Sequence, residues 1–179
     1  AAACAKKVGP SGHVLATDAA PAMLEIATEY IASQNLTNVD FQIANFDELK
    51  LEMKTFDVGL CRWGLMFAKD LVASLAAIRG VLRPGGSFGA IVWGPPERAE
   101  VHSLTNRVLM QSLGLPAVNT GKGTPFGLCD REALERSFGA AGFTNIESQA
   151  VSVVYDFSSA EEYVQYRRER SSLEKQIAH

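Results

Sequence analysis

Three groups of side chains in this chain have types and spacing suited to chemistry. Asp18 closes the apolar run Val14-Leu15-Ala16 and is followed by Pro21 and an apolar pattern at helical spacing, so its carboxylate stands where a strand gives way to a helix. In open α/β sheets, ligands bind beyond the carboxyl ends of the strands. A carboxylate there can accept both hydroxyls of a ribose in charge-strengthened hydrogen bonds, or it can simply cap the helix that follows. A second group, Arg62, Trp63, Leu65, Met66 and Phe67, crowds the end of another strand, and Trp93 closes a third. Such side chains at strand ends suit a ring or lipid-like ligand, or they pack under covering helices. Past that third strand lies His102, a candidate general base if a substrate there must lose a proton, or else a structural histidine. His13 falls at the opposite end of its strand. No Ser-His-Asp order, carboxylate pair or metal-ligand spacing is present.

The elements that position these residues alternate between strand and helix. AAACAKK reads as the second half of a helix, stopped by Lys6, Lys7 and Gly9-Pro10. A strand over 13–18 is followed by a helix to about Gln34, with Met23, Leu24, Ile26, Ala27, Tyr30 and Ile31 recurring at helical spacing and Pro21 in its first turn. Val39, Phe41 and Ile43 alternate with Asp40 and Gln42, a strand signature. Phe56, Val58, Leu60 and Cys61 form the next strand. A helix capped by Asp70 shows Leu71, Leu75, Ile78 and Leu82 and stops at Pro84-Gly85-Gly86, and a nearly all-apolar strand runs from Phe88 to Trp93. Residues 98–113 read as a helix and 114–127 as a Gly- and Pro-rich loop. A further helix starts at Asp130, with Gly142 past its end. A half-exposed strand spans 151–157, and a last helix covers 158–178, where Arg167, Arg168 and Arg170 read as a solvated basic face. Five strands in this alternation imply a mostly parallel sheet between helix layers with right-handed crossovers.

The 179 residues, 47% hydrophobic and 21% charged, suit one domain with a real core. A net charge of −3 gives no hint of a nucleic-acid or membrane-surface partner. Cys4, Cys61 and Cys129 are odd in number and far apart, which makes a reduced cytoplasmic setting the default. No apolar run approaches the ~18 residues of a membrane span. Both termini break off inside helical patterns, so a longer parent chain is expected.

The run TDAAPAMLEIA, then VDFQIANFDEL, TFDVGLCRWGLMF and IRGVLRPGGSFGAIVW, resembles the class I S-adenosylmethionine-dependent methyltransferases, in particular the ubiquinone/menaquinone biosynthesis group. PFGLCDREALERSFGAAGFTNIE is similar to that group's later helix and strand. The resemblance covers most of residues 1–157 and implies a Rossmann-like three-layer fold, a single domain over 1–179, S-adenosylmethionine as cofactor and S-adenosylhomocysteine as product. It places Asp18 on the ribose diol, Ala19 and Met23 beside the adenine (Met23 otherwise in the core), and Asn45 and Phe46 at the adenine edge. Where the family usually has Asp, Asn45 can accept a hydrogen bond only without the charge. Cys61 and Arg62 fall beside the methionine part, with Arg62 otherwise a surface salt-bridge partner.

The family's Gly-rich loop and its central first strand are expected upstream of Ala1, and its last antiparallel strand beyond His179. A chain lacking that central strand would leave open edges, which invite aggregation. The function expected is methyl transfer to a small, aromatic or apolar acceptor, with Trp63, Met66, Phe67 and Trp93 as pocket candidates and His102 as the candidate base. Two rivals remain at this point: a methyltransferase-like binding or scaffold protein without catalysis, and a nucleotide-dependent oxidoreductase. The methyl acceptor and the oligomeric state are not legible.

Overall fold

Lys6 and Lys7 occupy the last turn of the first helix, α1 (Ala2–Val8), and Gly9 beyond it adopts a positive φ of 72°, a conformation open to glycine without penalty. This computed structural model describes residues 1–114 and 119–170, apart from the side chains of residues 169 and 170. The other elements in order are β1 (Val14–Asp18), α2 (Pro21–Ser33), β2 (Val39–Ile43), β3 (Phe56–Arg62), α3 (Leu71–Val81), β4 (Leu82–Ile91), α4 (Glu100–Ser112), α5 (Arg131–Ala140) and α6 (Ala160–Arg170). The chain divides into two compact units, Ala1–Gly59 with Val72–Phe88 and Leu60–Leu71 with Gly89–His179.

In the first unit β1 and β2 pair in parallel, with Val14 opposite Val39 and Asp18 opposite Ile43. The crossover is α2, with Pro21 in its first turn. Only Leu24 and Ile31 of its apolar residues are buried, seven positions and two turns apart on one face. Met23, Ile26 and Tyr30 stand exposed. The helical spacing was legible, but two strands offer too narrow a surface to cover the whole apolar arc. Asn38 ties this unit together. Its Nδ2 donates to the carbonyls of Ala5 at 3.1 Å, Gly9 at 2.9 Å and Gly12 at 3.1 Å. One amide group thus satisfies the end of α1 and the loop entering β1. In α3, Leu75 is fully buried and Ser74 nearly so, with the Ser74 hydroxyl donating to Asp47 Oδ1 at 3.0 Å.

Strands β3 and β4 form the second hydrogen-bonded pair. Thr55 N–H donates to Val81 O and Trp63 N–H to Ile91 O, each at 2.9 Å, so the two run in the same direction. Here the structure corrects the sequence reading. The helix stops at Val81 rather than at the Pro-Gly-Gly, and the strand starts at Leu82 and carries Gly85 at φ 82° within it. Leu82, counted on the helix face by spacing, is a buried strand residue.

In the second unit, Leu65, Met66, Ala68, Ala99, Phe126 and Ala141 are the buried apolar residues among those described. Asp130 caps α5 by accepting from Ala133 N–H at 3.0 Å, and Gly142 follows the helix at φ 87°, both as spacing predicted. The expected strand over 151–157 does not form. Val151, Val153 and Val154 are exposed, and alternation without a partner edge supplies no ladder hydrogen bonds. Ser159 caps α6 by accepting from Glu162 N–H at 3.2 Å, while Glu162 Oε2 accepts from Ser158 N–H and Oγ, each at 2.6 Å. The remainder of the helix expected to 178, and part of the 114–127 loop, lie outside the described residues.

The Asn38 amide, whose two protons are shared among three carbonyls, makes a direct test. Asn38→Ala should lower stability by about 1–3 kcal/mol in urea unfolding. Asn38→Asp should lower it further, because an ionised carboxylate would face three carbonyl oxygens with no proton to donate. An unchanged midpoint in both variants would remove this tie from the account.

Candidate functional site

Parallel pairing brings the carboxyl ends of β1 and β2 to one rim, with Asp18 as the last residue of β1. Asp18 Oδ1 accepts from Ala20 N–H at 2.9 Å. Ala20 is itself the residue before the first turn of α2, and that helix has no side-chain cap. The capping reading of Asp18 therefore fails. The carboxylate is half-buried and oriented by one backbone bond, and an ionised carboxylate has about four lone-pair sites. Ala19 is exposed, and Met23 is 54% exposed, so core packing does not account for Met23.

Just past β2, Asn45 is exposed and its Oδ1 accepts from Asp47 N–H at 2.9 Å, capping the short turn Phe46–Glu48. That oxygen has one lone pair left, without charge. Phe46 is half-buried within the turn. An adenosyl group fits this donor set in part: Asp18 has the chemistry for a ribose diol, and Asn45 offers a weak acceptor only. When bound, S-adenosylmethionine supplies a methyl group already activated on a sulfonium.

In the second unit β3 ends in Cys61, half-buried, and Arg62, exposed. Trp63 then adopts φ 58°. A left-handed backbone at a bulky residue costs on the order of 1–3 kcal/mol and persists only where the surroundings hold it. Three contacts hold Trp63. Its N–H bonds Ile91 O, its ring lies 4.6 Å from Trp93 at 10° between planes, and the Arg62 guanidinium sits 4.8 Å above it. Both the stack and the cation–π contact are geometries in which rings attract. Trp93 in turn packs against the edge of His102, centroids 4.3 Å apart.

His102 lies in the first turn of α4, and Arg167 Nη1 stands 2.9 Å from its Nδ1. A guanidinium only donates. Nδ1 must therefore be the acceptor, and neutral His102 carries its proton on Nε2. Burial, and then the Arg167 charge, hold its pKa below the ordinary 6.5. Held this way, Nε2–H is a donor rather than a proton acceptor. Arg167 was read from sequence as part of a solvated basic face and is instead 8% exposed, whereas Arg168 is exposed. The arginine run hid this buried side chain, and only its place one turn after Tyr163 hinted at it. Tyr163 Oη is 2.9 Å from Thr105 Oγ1, joining α6 to α4 at the same face.

Of the other pocket candidates, Met66 is 3% exposed and belongs to the core, while Phe67 is 53% exposed. The structure thus joins Arg62, Trp63, Trp93 and His102 in one row, adds Arg167, and leaves Met66 and Phe67 out of it.

The alternation of strands and helices, with an acid closing the first parallel strand, is similar to that of the class I methyltransferases, whose cofactor is S-adenosylmethionine. A methyltransferase-domain family matches residues 1–86. The chain is 30% identical over 153 residues to a demethylmenaquinone methyltransferase of Lactococcus lactis, covering 80% of this chain and 61% of that protein. It is 28% identical to a demethylmenaquinone methyltransferase of Staphylococcus aureus, covering 80% of this chain and 63% of the relative. It therefore spans somewhat over three-fifths of these relatives. In fold it is similar to the YcgJ protein of Bacillus subtilis, with a TM-score of 0.57 at 18% identity over 92% of this chain and 65% of that one. Among the described residues, no helix is long and apolar enough to cross a membrane.

The lowered His102 pKa has a sign. Between the folded pKa and 6.5 the unfolded chain binds a proton that the folded chain does not, so stability falls as pH drops through 6.5. His102→Gln should flatten the dependence of the urea midpoint on pH just below the ordinary histidine value of 6.5. Parallel curves for the two proteins would show that His102 is not held neutral.

Proposed function

We propose that this chain carries the cofactor- and acceptor-binding parts of an S-adenosylmethionine-dependent methyltransferase acting on a small aromatic or apolar molecule. The observation that carries the reading is the Asp18 carboxylate, half-buried at the carboxyl end of β1 and not used as a helix cap. In this reading Asp18 accepts the two ribose hydroxyls, Ala19 and Met23 border the adenine, and Asn45 with Phe46 meets its edge. Cys61 and Arg62 lie toward the methionine part. The Trp63–Trp93 stack offers an aromatic wall to the acceptor, which agrees with the ring substrate in the relatives' name. Residues 1–179 act as one domain, in the cytoplasm, without a nucleic-acid partner.

Bound S-adenosylmethionine would supply a methyl already activated on its sulfonium, so this chain's residues would contribute mainly alignment, worth up to ~7–11 kcal/mol. No residue need act as a base if the acceptor arrives ionised. His102, in the tautomer Arg167 imposes, then orients the acceptor through Nε2–H.

Calorimetry with S-adenosylhomocysteine tests the cofactor part. Wild type should bind it, Asp18→Ala should weaken binding by about 10–100-fold, as for loss of charged hydrogen bonds, and Asp18→Asn should fall between. Equal affinity in all three would sink the assignment of Asp18.

A further inference from the structure

We propose that His102 and Arg167 form an anion-recognising pair that selects a planar acceptor bearing an ionised oxygen, with His102 donating from Nε2 and Arg167 as its positioning residue. The identity of the ligand as methyl acceptor rests on the proposed function; the preference for an anion does not.

Arg167 is the anomaly that motivates this. It is buried, yet among the described residues no carboxylate pairs with it, its Nε has no hydrogen-bond partner, and its contact is to an uncharged ring nitrogen. An uncompensated buried cation is strongly destabilising, and buried charges are normally paired. One turn beyond His102 on α4, Asn106 Oδ1 is likewise buried without a partner. Both unmatched atoms belong to α4 and α6, the helices that Tyr163 and Arg167 pin together. Unmatched buried polar atoms call for an explanation, and a missing anionic ligand explains a lone cation.

The remaining geometry describes that ligand. His102 is half-buried, and among the described residues its Nε2 has no hydrogen-bond partner, so the proton opposite Arg167 is free to be donated. The adjacent surface is aromatic, Trp93 against the imidazole and Trp63 stacked on Trp93. A ring would lie on this surface while its oxygen receives Nε2–H, with Arg167 balancing the charge one imidazole away. Arg167 also opposes protonation of His102, so the pair stays a neutral donor backed by a fixed cation. Arg62, the other cation in the row, is exposed and already lies on the outer face of Trp63, where water screens it.

The full chain should be titrated with 2-naphthoate and with its neutral counterpart 2-naphthamide, by calorimetry and by tryptophan emission. The chain has two tryptophans, both in the stack, so emission reports on this surface. Wild type should bind the carboxylate at least tenfold more tightly than the amide and change its emission with both. Arg167→Met should abolish the preference while keeping amide binding, Arg167→Lys should retain part of it, and Arg62→Gln should leave it intact. In the ¹⁵N imidazole spectrum His102 should show a proton on Nε2 alone, a pattern lost in Arg167→Met. Equal binding of the two probes by wild type overturns the proposal even if no Arg167 variant folds. So does a preference that follows Arg62 instead. Binding of S-adenosylhomocysteine, measured in the same samples, separates the readings: its loss with the preference intact would sink the cofactor assignment and leave this pair standing.

Discussion

Parallel strand pairing is the constraint on which the arrangement depends. A parallel ladder sends every carboxyl end to the same rim, and a helical crossover must then leave from that rim. Asp18 therefore stands where the backbone turns from β1 into α2, and Asn45 where it leaves β2. The same constraint acts on β3 and β4: Trp63 directly follows β3 and donates its N–H to Ile91 O, and Trp93 lies two residues beyond that carbonyl. Each chemical group thus lies within two residues of a strand's carboxyl end, positioned by the hydrogen-bonded backbone beside it.

What those groups do is decided by which local bonds they make. Asp18 and Asn45 both accept from a backbone N–H two residues on, at the same 2.9 Å. The consequences differ. A carboxylate keeps its charge and spare lone pairs after one such bond, while an amide oxygen retains a single neutral acceptor. His102 shows the same logic with the roles reversed. A guanidinium that can only donate removes one nitrogen from use and leaves the other as a donor, and burial keeps the ring uncharged.

The backbone strain at Trp63 belongs to this picture. A bulky residue at positive φ is tolerated because stacking on Trp93, the Arg62 cation and the bond to Ile91 act on it together. The strained turn ends β3 and sets the indole against its neighbour, so one unfavourable dihedral serves as the seat of the aromatic row.

Much of this was legible in the sequence, because periodicity and turn chemistry are local. The strands ending at Asp18 and Arg62, the helix from Pro21, the cap at Asp130 and the glycine at 142 follow from residue spacing and from which side chains can bond their own backbone. Other features could not be read there. Met23 and Leu24 are both apolar neighbours in a helical pattern, and only the width of the surface beneath α2 leaves one exposed and the other buried. The valines of 151–154 alternate like a strand, yet a ladder needs a partner that lies far away in sequence. Arg167 sits in a run of charge, and whether a guanidinium meets water or a histidine 65 positions away depends on how α6 is laid on α4. The sequence by itself determined most of the elements, their order and several of the residues at their ends, since those rest on contacts within a few residues. The tertiary structure alone decided burial, tautomer and pairing, since those depend on which distant group arrives at each face.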